Sequence, residues 1–459
     1  MSRFDAQIDV VRTAMPFRVV GQVQGISGLT IEAAELPLPV GSLCRISSFG
    51  AQSSIAEVIG FKHGRTLLMP LSQLAGVSAG DKVENIASAP RVGCSRELLG
   101  RIINGYGQPI DGKGPLHMCQ SRRIDGRGLA PLKRVNIDQP IATSIRSVDG
   151  LHTCGRGQRM GIFSGPGVGK STLVAMIAKN TSADVAVVAL IGERGRELQE
   201  FVTRTLGPEG MSRCVVVVST SDDPPLLRVR AAKVAATVAE YFRDQGNDVL
   251  LLMDSLTRLA HAQRQIGLAA QEPPATKGYP PSVFALLPEL LERAGRCEGG
   301  SVTGFYTVLV EGDDFNEPIA DAVKGITDGH LWLSRTLANR GHYPAVDPLQ
   351  SISRVRNDVI PPEQLRAAKR ILALLATYQE IEDLVNIGAY VSGVNADFDA
   401  AVQARPKVLQ YLQQDAKSPA TLDQSRKQLI ELGNWIEQME KTIRAQAGKT
   451  PREKLNAAV

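Results

Sequence analysis

The chain has 459 residues, 43% hydrophobic and 22% charged, and its 52 basic and 47 acidic residues leave a formal charge of +5. That length exceeds one ordinary hydrophobic core and predicts about three domains, while no stretch approaches the roughly 18 unbroken apolar residues of a membrane span. Residues 1–90 carry seven basic and seven acidic side chains, which excludes an electrostatic footprint for nucleic acid there.

The first ten residues, Met1 to Val10, show no apolar core ahead of a small-residue cleavage site, so a cytoplasmic chain is expected. From Phe17 to about Ile86, stretches such as Arg18-Val-Val-Gly-Gln-Val and Ser54-Ile-Ala-Glu-Val-Ile alternate with glycine- and proline-containing turns. This pattern predicts a small β-barrel over residues 1–90. Residues 91–150 read as a linker, with turns at Asn104-Gly105-Tyr-Gly107 and Asp111-Gly112. From Gln158 onward, apolar runs at 160–163, 184–191, 214–218 and 249–253 alternate with helical patterns. Continuous runs of that kind predict a parallel sheet buried on both faces, and hence an α/β domain that with its linker spans 91–358.

After about Asp358 the strand signals stop, and a helical C-terminal domain is expected over 359–459. Its first helix runs from Glu363 to Ile387, with breaks predicted near Gly388 and around Pro406. In the tail, Leu422, Leu429, Leu432, Ile436, Met439 and Ile443 recur at three- and four-residue spacing, and Thr421 and Gln424 are placed as a capping box. An amphipathic helix lying on its own domain is favoured over a coiled coil, because Ser425 and Gly433 weaken a seam of barely three heptads. The six cysteines (44, 94, 119, 154, 214 and 297) form no Cys-x-x-Cys pair and the six histidines stand at no ligand spacing. Reduced, structural thiols are expected, and any metal should arrive with a nucleotide.

The chemistry concentrates on Ser164-Gly165-Pro166-Gly167-Val168-Gly169-Lys170-Ser171-Thr172. A strand, a glycine-rich turn and a helix N-terminus together surround a polyphosphate with backbone N–H groups, and glycine leaves room for close approach. Lys170 is then expected to reach the β- and γ-phosphates of a nucleotide, and the Ser171 hydroxyl is positioned to ligate Mg2+. Ser164 stands where the strict pattern has glycine, at a strand exit where a small residue still fits. Asp254 ends the apolar run 249–253 and would emerge at the same carboxyl edge of the sheet, oriented toward Mg2+ or its water shell. Glu193, in Ile191-Gly-Glu-Arg-Gly-Arg-Glu197, is the candidate for polarising the attacking water. Glu197 competes for that role, and either carboxylate could instead pair with Arg194 or Arg196.

Read together, 161–172, 191–197, Met253-Asp-Ser-Leu-Thr-Arg258, Glu272 to Phe284, Glu311-Gly-Asp-Asp314 and His342-Tyr-Pro-Ala-Val-Asp347 resemble the ATPases that energise type III protein export. The resemblance spans roughly residues 16–415. It implies a relative of rotary ATP synthase catalytic subunits: an N-terminal β-barrel, a RecA-like P-loop domain, a helical C-terminal domain and a homohexameric ring. It also implies roles for single residues. Lys170 and Ser171 match the phosphate lysine and the Mg2+ ligand, Glu193 the catalytic glutamate, and Arg194 and Arg258 the arginines near the γ-phosphate. Tyr343 matches the tyrosine that stacks on adenine, and Arg354, in Ser351-Ile-Ser-Arg354, the arginine supplied by a neighbouring subunit.

The wording Ala275-Thr-Lys-Gly-Tyr-Pro280 resembles flagellar members more than virulence injectisome members. The implied partners are regulator and stalk proteins of the export apparatus, chaperone–substrate complexes and a membrane export gate. The implied location is peripheral, at the inner face of the cytoplasmic membrane. An F-type synthase catalytic subunit is disfavoured by Ala389 to Asp399, which has two carboxylates where those chains carry a dense acidic stretch. A hexameric RNA translocase is disfavoured because residues 1–90 offer only Phe4, Phe17, Phe49 and Phe61 as aromatics, with balanced charge.

Overall fold

A computed structural model describes residues 18–447 except 49–52, 73–75, 118, 119, 127, 311, 313 and 315. Phe4, Phe17, Phe49, Cys119, Glu311 and Asp313 therefore lie outside the described residues.

Six antiparallel strands, Val20–Ser27, Thr30–Ala34, Leu43–Ser47, Ser54–Lys62, Arg65–Pro70 and Lys82–Ala87, close into a barrel in the order first, second, fifth, fourth, third, sixth. Alternate side chains point inward, as the two-residue period requires: Cys44 and Ile46 from one strand, Ala56 and Val58 from the next, with Val23, Ile31, Leu68 and Val83 in the same core. Burial there pushes the Cys44 thiol up to about 12, so it behaves as a small hydrophobe. The five described cysteines carry free thiols.

The second layer system is a nine-stranded sheet. Across it run Ile352–Ser353, Gly329–Leu333, Arg159–Ser164, Gly300–Leu309, Asp248–Asp254, Val185–Glu193, Cys214–Thr220 and Ile102–Asn104, with Gly295–Cys297 paired beside Gly300–Leu309. All pairings are parallel except those of Gly295–Cys297 and Ile352–Ser353. Every residue of Val185–Glu193 is buried. Val185, Val187, Ala189 and Ile191 enter the core on one face, and Ala186, Val188 and Leu190 the core on the other. Two buried faces explain why the sequence shows an unbroken apolar run instead of alternation. The strand continues two residues past Ile191, so Glu193 is its last residue rather than the start of a loop. The linker also supplies structure that its turns concealed: Ile102–Asn104 is an edge strand beside Cys214–Thr220, and Arg91–Cys94 pairs with Gln120–Arg123. Strands of three or four residues carry too little periodicity to be legible.

Three helices follow: Pro362–Asn386, Ala396–Leu412 and Leu422–Ala447. The first stops in a Schellman motif at Gly388 (φ +72°), with Gly388 N–H donating to Val385 and Ala389 N–H to Leu384. The break expected at Pro406 is absent. Ala396–Leu412 runs through it, because Ala404, Val408, Tyr411 and Leu412 on either side are buried in the helical core and hold the helix together. The tail helix opens with the expected capping box: Thr421 N–H donates to Gln424 (2.9 Å) and Gln424 N–H to the Thr421 hydroxyl (3.2 Å). It lies on its own domain, with Leu429 and Ile436 fully buried. Among the described residues no helix is long and apolar enough to cross a membrane.

Buried polar side chains join these parts. Arg230, from the helix Pro225–Asp244, donates to the Gly105 carbonyl (3.0 Å) and faces Glu57 of the barrel at 3.7 Å. Tyr106 donates to the Leu71 carbonyl (2.6 Å). Gln364 donates to Asp149, Gly150 and Thr153 and accepts from Arg426, which fastens two C-terminal helices to the segment before the sheet.

Candidate active site

The strand Arg159–Ser164 delivers the chain to the glycine-rich turn, and the helix Lys170–Asn180 leaves it. Gly167 (φ +78°) and Gly169 (φ +91°) take left-handed conformations that a side chain would strain. Val168 is buried in the core and anchors the turn between them. The helix starts without a side-chain cap, so its first N–H groups and dipole are left to an anion. Ser164 is fully buried at the strand end and its hydroxyl has no protein partner, in keeping with a position that admits only a small residue.

Parallel register brings the other groups to the same edge. Asp254 ends Asp248–Asp254 and Glu193 ends the adjacent Val185–Glu193. The Lys170 ammonium contacts the Asp254 carboxylate, which also accepts from the Thr307 hydroxyl (2.7 Å) of the neighbouring strand. Arg258 lies 3.1 Å from the Glu193 carboxylate and its guanidinium also contacts the Gly192 carbonyl. Glu193 is only 8% exposed. Burial, a hydrogen bond with Glu197 and the Asp254 charge push its carboxyl up to about 7, against the opposing pull of Lys170 and Arg258. A carboxyl poised near neutrality suits proton handling.

Ser171, Thr172, Glu193, Glu197 and Asp254 line one cavity of about 290 Å³, closed on another side by Phe201 and Thr205 of a π-helical turn, Phe201–Leu206. Its donors are all oxygen, the set that a hard cation such as Mg2+ prefers. An uncapped helix start beside oxygen ligands and an ammonium fits a magnesium-bound triphosphate. On the far side of the loop, the Tyr343 ring stands against Gly169: a Cβ there would lie 3.4 Å from it. Tyr343 is 46% exposed, which leaves ring surface for a ligand.

Two of the expected site residues are not gathered here. Arg194 is exposed at the start of the helix Gly195–Glu200, and its side chain makes no hydrogen bond or ion pair among the described residues. The simple pairing of Glu193 or Glu197 with Arg194 or Arg196 does not occur. Arg354 follows the edge strand Ile352–Ser353, and its N–H donates to Asp328, at the amino end of the parallel strands. That places it at the edge opposite the phosphate loop, exposed and without an ion pair among the described residues. Sequence reasoning missed Thr307, the only hint of which is a hydroxyl inside a buried strand. It also missed Arg335, which donates to the Pro166 carbonyl at 3.4 Å.

The ATP synthase alpha/beta family, nucleotide-binding domain, matches residues 144–353, and the T3SS EscN ATPase C-terminal domain matches 360–431. The chain is 48% identical over 420 residues to a flagellum-specific ATP synthase of Bacillus subtilis, covering 91% of this chain and 96% of that one. It is 50% identical over 419 residues to a flagellum-specific ATP synthase of Pseudomonas aeruginosa, covering 90% and 93%. Among solved structures, the assembled ATPase EscN of the enteropathogenic E. coli type III secretion system superposes with a TM-score of 0.85 at 42% identity, covering 90% of this chain and all of that one. By these matches, which cover nine-tenths of its length, the chain belongs to the flagellum-specific and type III secretion ATPases of the ATP synthase alpha/beta family.

Proposed function

We propose that this ATPase hydrolyses Mg-ATP at the subunit interfaces of a homohexameric ring and so energises export of flagellar components. The observation that carries the reading is a divided site. Lys170, Ser171, Glu193, Asp254 and Arg258 converge on one sheet edge, while Arg354 is exposed and unpaired at the other. A chain with both halves facing apart completes its site by turning the Arg354 edge of one copy toward the loop of the next. The relative EscN has been seen assembled, and in complex with its central stalk EscO, which supports a ring and a stalk partner here. Flagellum-specific relatives at 48% and 50% identity favour the flagellar branch over the injectisome. Regulator proteins, chaperone–substrate complexes, a membrane gate and a peripheral place on the cytoplasmic membrane follow from the same reading, as does division of the chain at residues 90 and 358.

In the proposed mechanism Lys170 exchanges Asp254 for the β- and γ-phosphates. Asp254, still held by Thr307, and the Ser171 hydroxyl then face the metal. Mg2+ neutralises phosphate charge when bound. Glu193 as carboxylate orients water toward the γ-phosphate, with Arg258 fixing the carboxylate. Arg194, exposed and unpaired next to Glu193, and the neighbour's Arg354 stabilise charge that develops on the phosphoryl oxygens. Tyr343 stacks on the adenine.

The decisive experiment mixes two inactive variants. Glu193→Gln should bind nucleotide and hydrolyse almost none, and Arg354→Ala should lose about 10³-fold in turnover. In mixed rings about a quarter of interfaces join an intact Glu193 to an intact Arg354, so activity should return on mixing. Mixtures as inactive as their components would sink the shared site, and near-normal turnover by Glu193→Gln would sink its role.

A further inference from the structure

Tyr343 is placed only as firmly as the main chain that carries it, and its carbonyl accepts a hydrogen bond from the Gln414 N–H at 2.9 Å. Gln414 lies two residues beyond the helix Ala396–Leu412 and is buried. Its amide is satisfied in both senses. The oxygen accepts from Arg146 N–H (2.8 Å), and the nitrogen donates to the Ser144 (2.8 Å) and Ser418 (2.9 Å) carbonyls. Ser144 in turn donates its hydroxyl to the carbonyl of Asn180, the last residue of the phosphate-loop helix. A continuous set of hydrogen bonds therefore runs from Tyr343 through Gln414 and Ser144 to the helix whose other end holds Gly169 and Lys170.

That arrangement closes a loop along the phosphate-loop helix. The Tyr343 ring faces Gly169 at the start of the helix, and Gln414 ties the Tyr343 main chain through Ser144 to its end. Gln414 follows the C-terminal helix Ala396–Leu412 by two residues, so a displacement of that helix is passed to the Tyr343 main chain. A buried amide with three bonds has one low-energy placement, because any shift strands the Arg146 N–H and leaves the Ser144 carbonyl only the longer bond from the Ala420 N–H at 3.5 Å.

We propose that Gln414 is a positioning residue for the nucleotide base: it sets Tyr343 against the phosphate loop and couples that setting to the C-terminal helices. The proposal rests on the reading of Tyr343 as the stacking residue. It differs from a general structural role in one respect, since it predicts a defect confined to ligands that carry a base.

The test compares ATP with inorganic tripolyphosphate, both with Mg2+, titrated calorimetrically against the full chain. Gln414→Ala should weaken ATP about tenfold and leave tripolyphosphate unchanged, as loss of one stacking contact would. Tyr343→Ala should do the same, and the double variant should be no weaker than Tyr343→Ala alone. Gln414→Glu keeps the shape and the acceptor for Arg146 while losing both donors, and should show the same ligand-selective loss if Gln414→Ala folds poorly. An unchanged ATP-to-tripolyphosphate ratio in both Gln414 variants, with a changed ratio in Tyr343→Ala, overturns the role of Gln414 alone. An unchanged ratio in Tyr343→Ala overturns the stacking reading and the proposal with it. Equal weakening of both ligands in the Gln414 variants reduces Gln414 to a structural residue.

Discussion

Glu193 sits under opposing influences, with burial, Glu197 and Asp254 disfavouring its charge and Lys170 and Arg258 favouring it. The balance leaves the carboxyl near 7, well above the ordinary carboxylate range. In the proposed mechanism the charged form orients water, so kcat/KM should rise with pH through about 7 and fall away on the acid side. Arg258→Ala removes one of the two favourable charges and should carry that limb to higher pH, besides slowing turnover. A limb that stays in place would separate it from Glu193. The sign for stability is opposite. A carboxyl raised by folding contributes stability below its unfolded value that is lost as pH climbs through 7, so Glu193→Gln should flatten that loss in a denaturant titration. The residue type and its strand exit were legible in the sequence. The neighbours that tune it, Asp254, Lys170 and Arg258, come from distant stretches, and their distances depend on strand register.

At the scale of elements, the tail helix shows how one position can invert a sequence argument. Gly433 looks like a weakness in a heptad seam, yet it is the point where Leu422–Ala447 crosses Pro362–Asn386. A Cβ at 433 would lie 2.7 Å from the Ala367 Cβ. Glycine there costs helix propensity and gains close approach. Gly433→Ala should therefore destabilise the C-terminal helices by about 1–3 kcal/mol through overpacking, instead of the gain of roughly 1 kcal/mol that propensity alone predicts. Thermal unfolding of the two forms decides between these signs. Pro406 teaches the same lesson in reverse: a local breaker is overridden where buried neighbours on both sides secure the helix.

Across the whole molecule, the barrel is joined to the sheet through a charged contact in a dry place. Burial pushes the Glu57 carboxyl up to about 7 despite Arg230, and draws the Arg230 guanidinium down despite Glu57. Desolvation thus outweighs pairing on both partners, so the contact fixes the join more than it stabilises it. Arg230→Met should cost about 3 kcal/mol by leaving Glu57 buried alone, and Arg230→Met with Glu57→Met should recover most of that. Urea unfolding measures both, and a double variant as weak as the single would show that the lost hydrogen bond to Gly105 dominates instead.

The barrel, the doubly buried sheet, the capping box, the phosphate loop and the carboxylates at two strand ends were all legible in the amino-acid order. Those features are local, since each is written in consecutive residues whose period or turn chemistry admits one reading. Tertiary structure alone decided the rest. It recruited Ile102–Asn104 into the sheet, carried the helix through Pro406 and brought Thr307 onto Asp254. It also set Tyr343 against Gly169 and sent Arg354 to the opposite edge. Each of these depends on which strand lies beside which and in what register, and that is settled by burial over hundreds of residues.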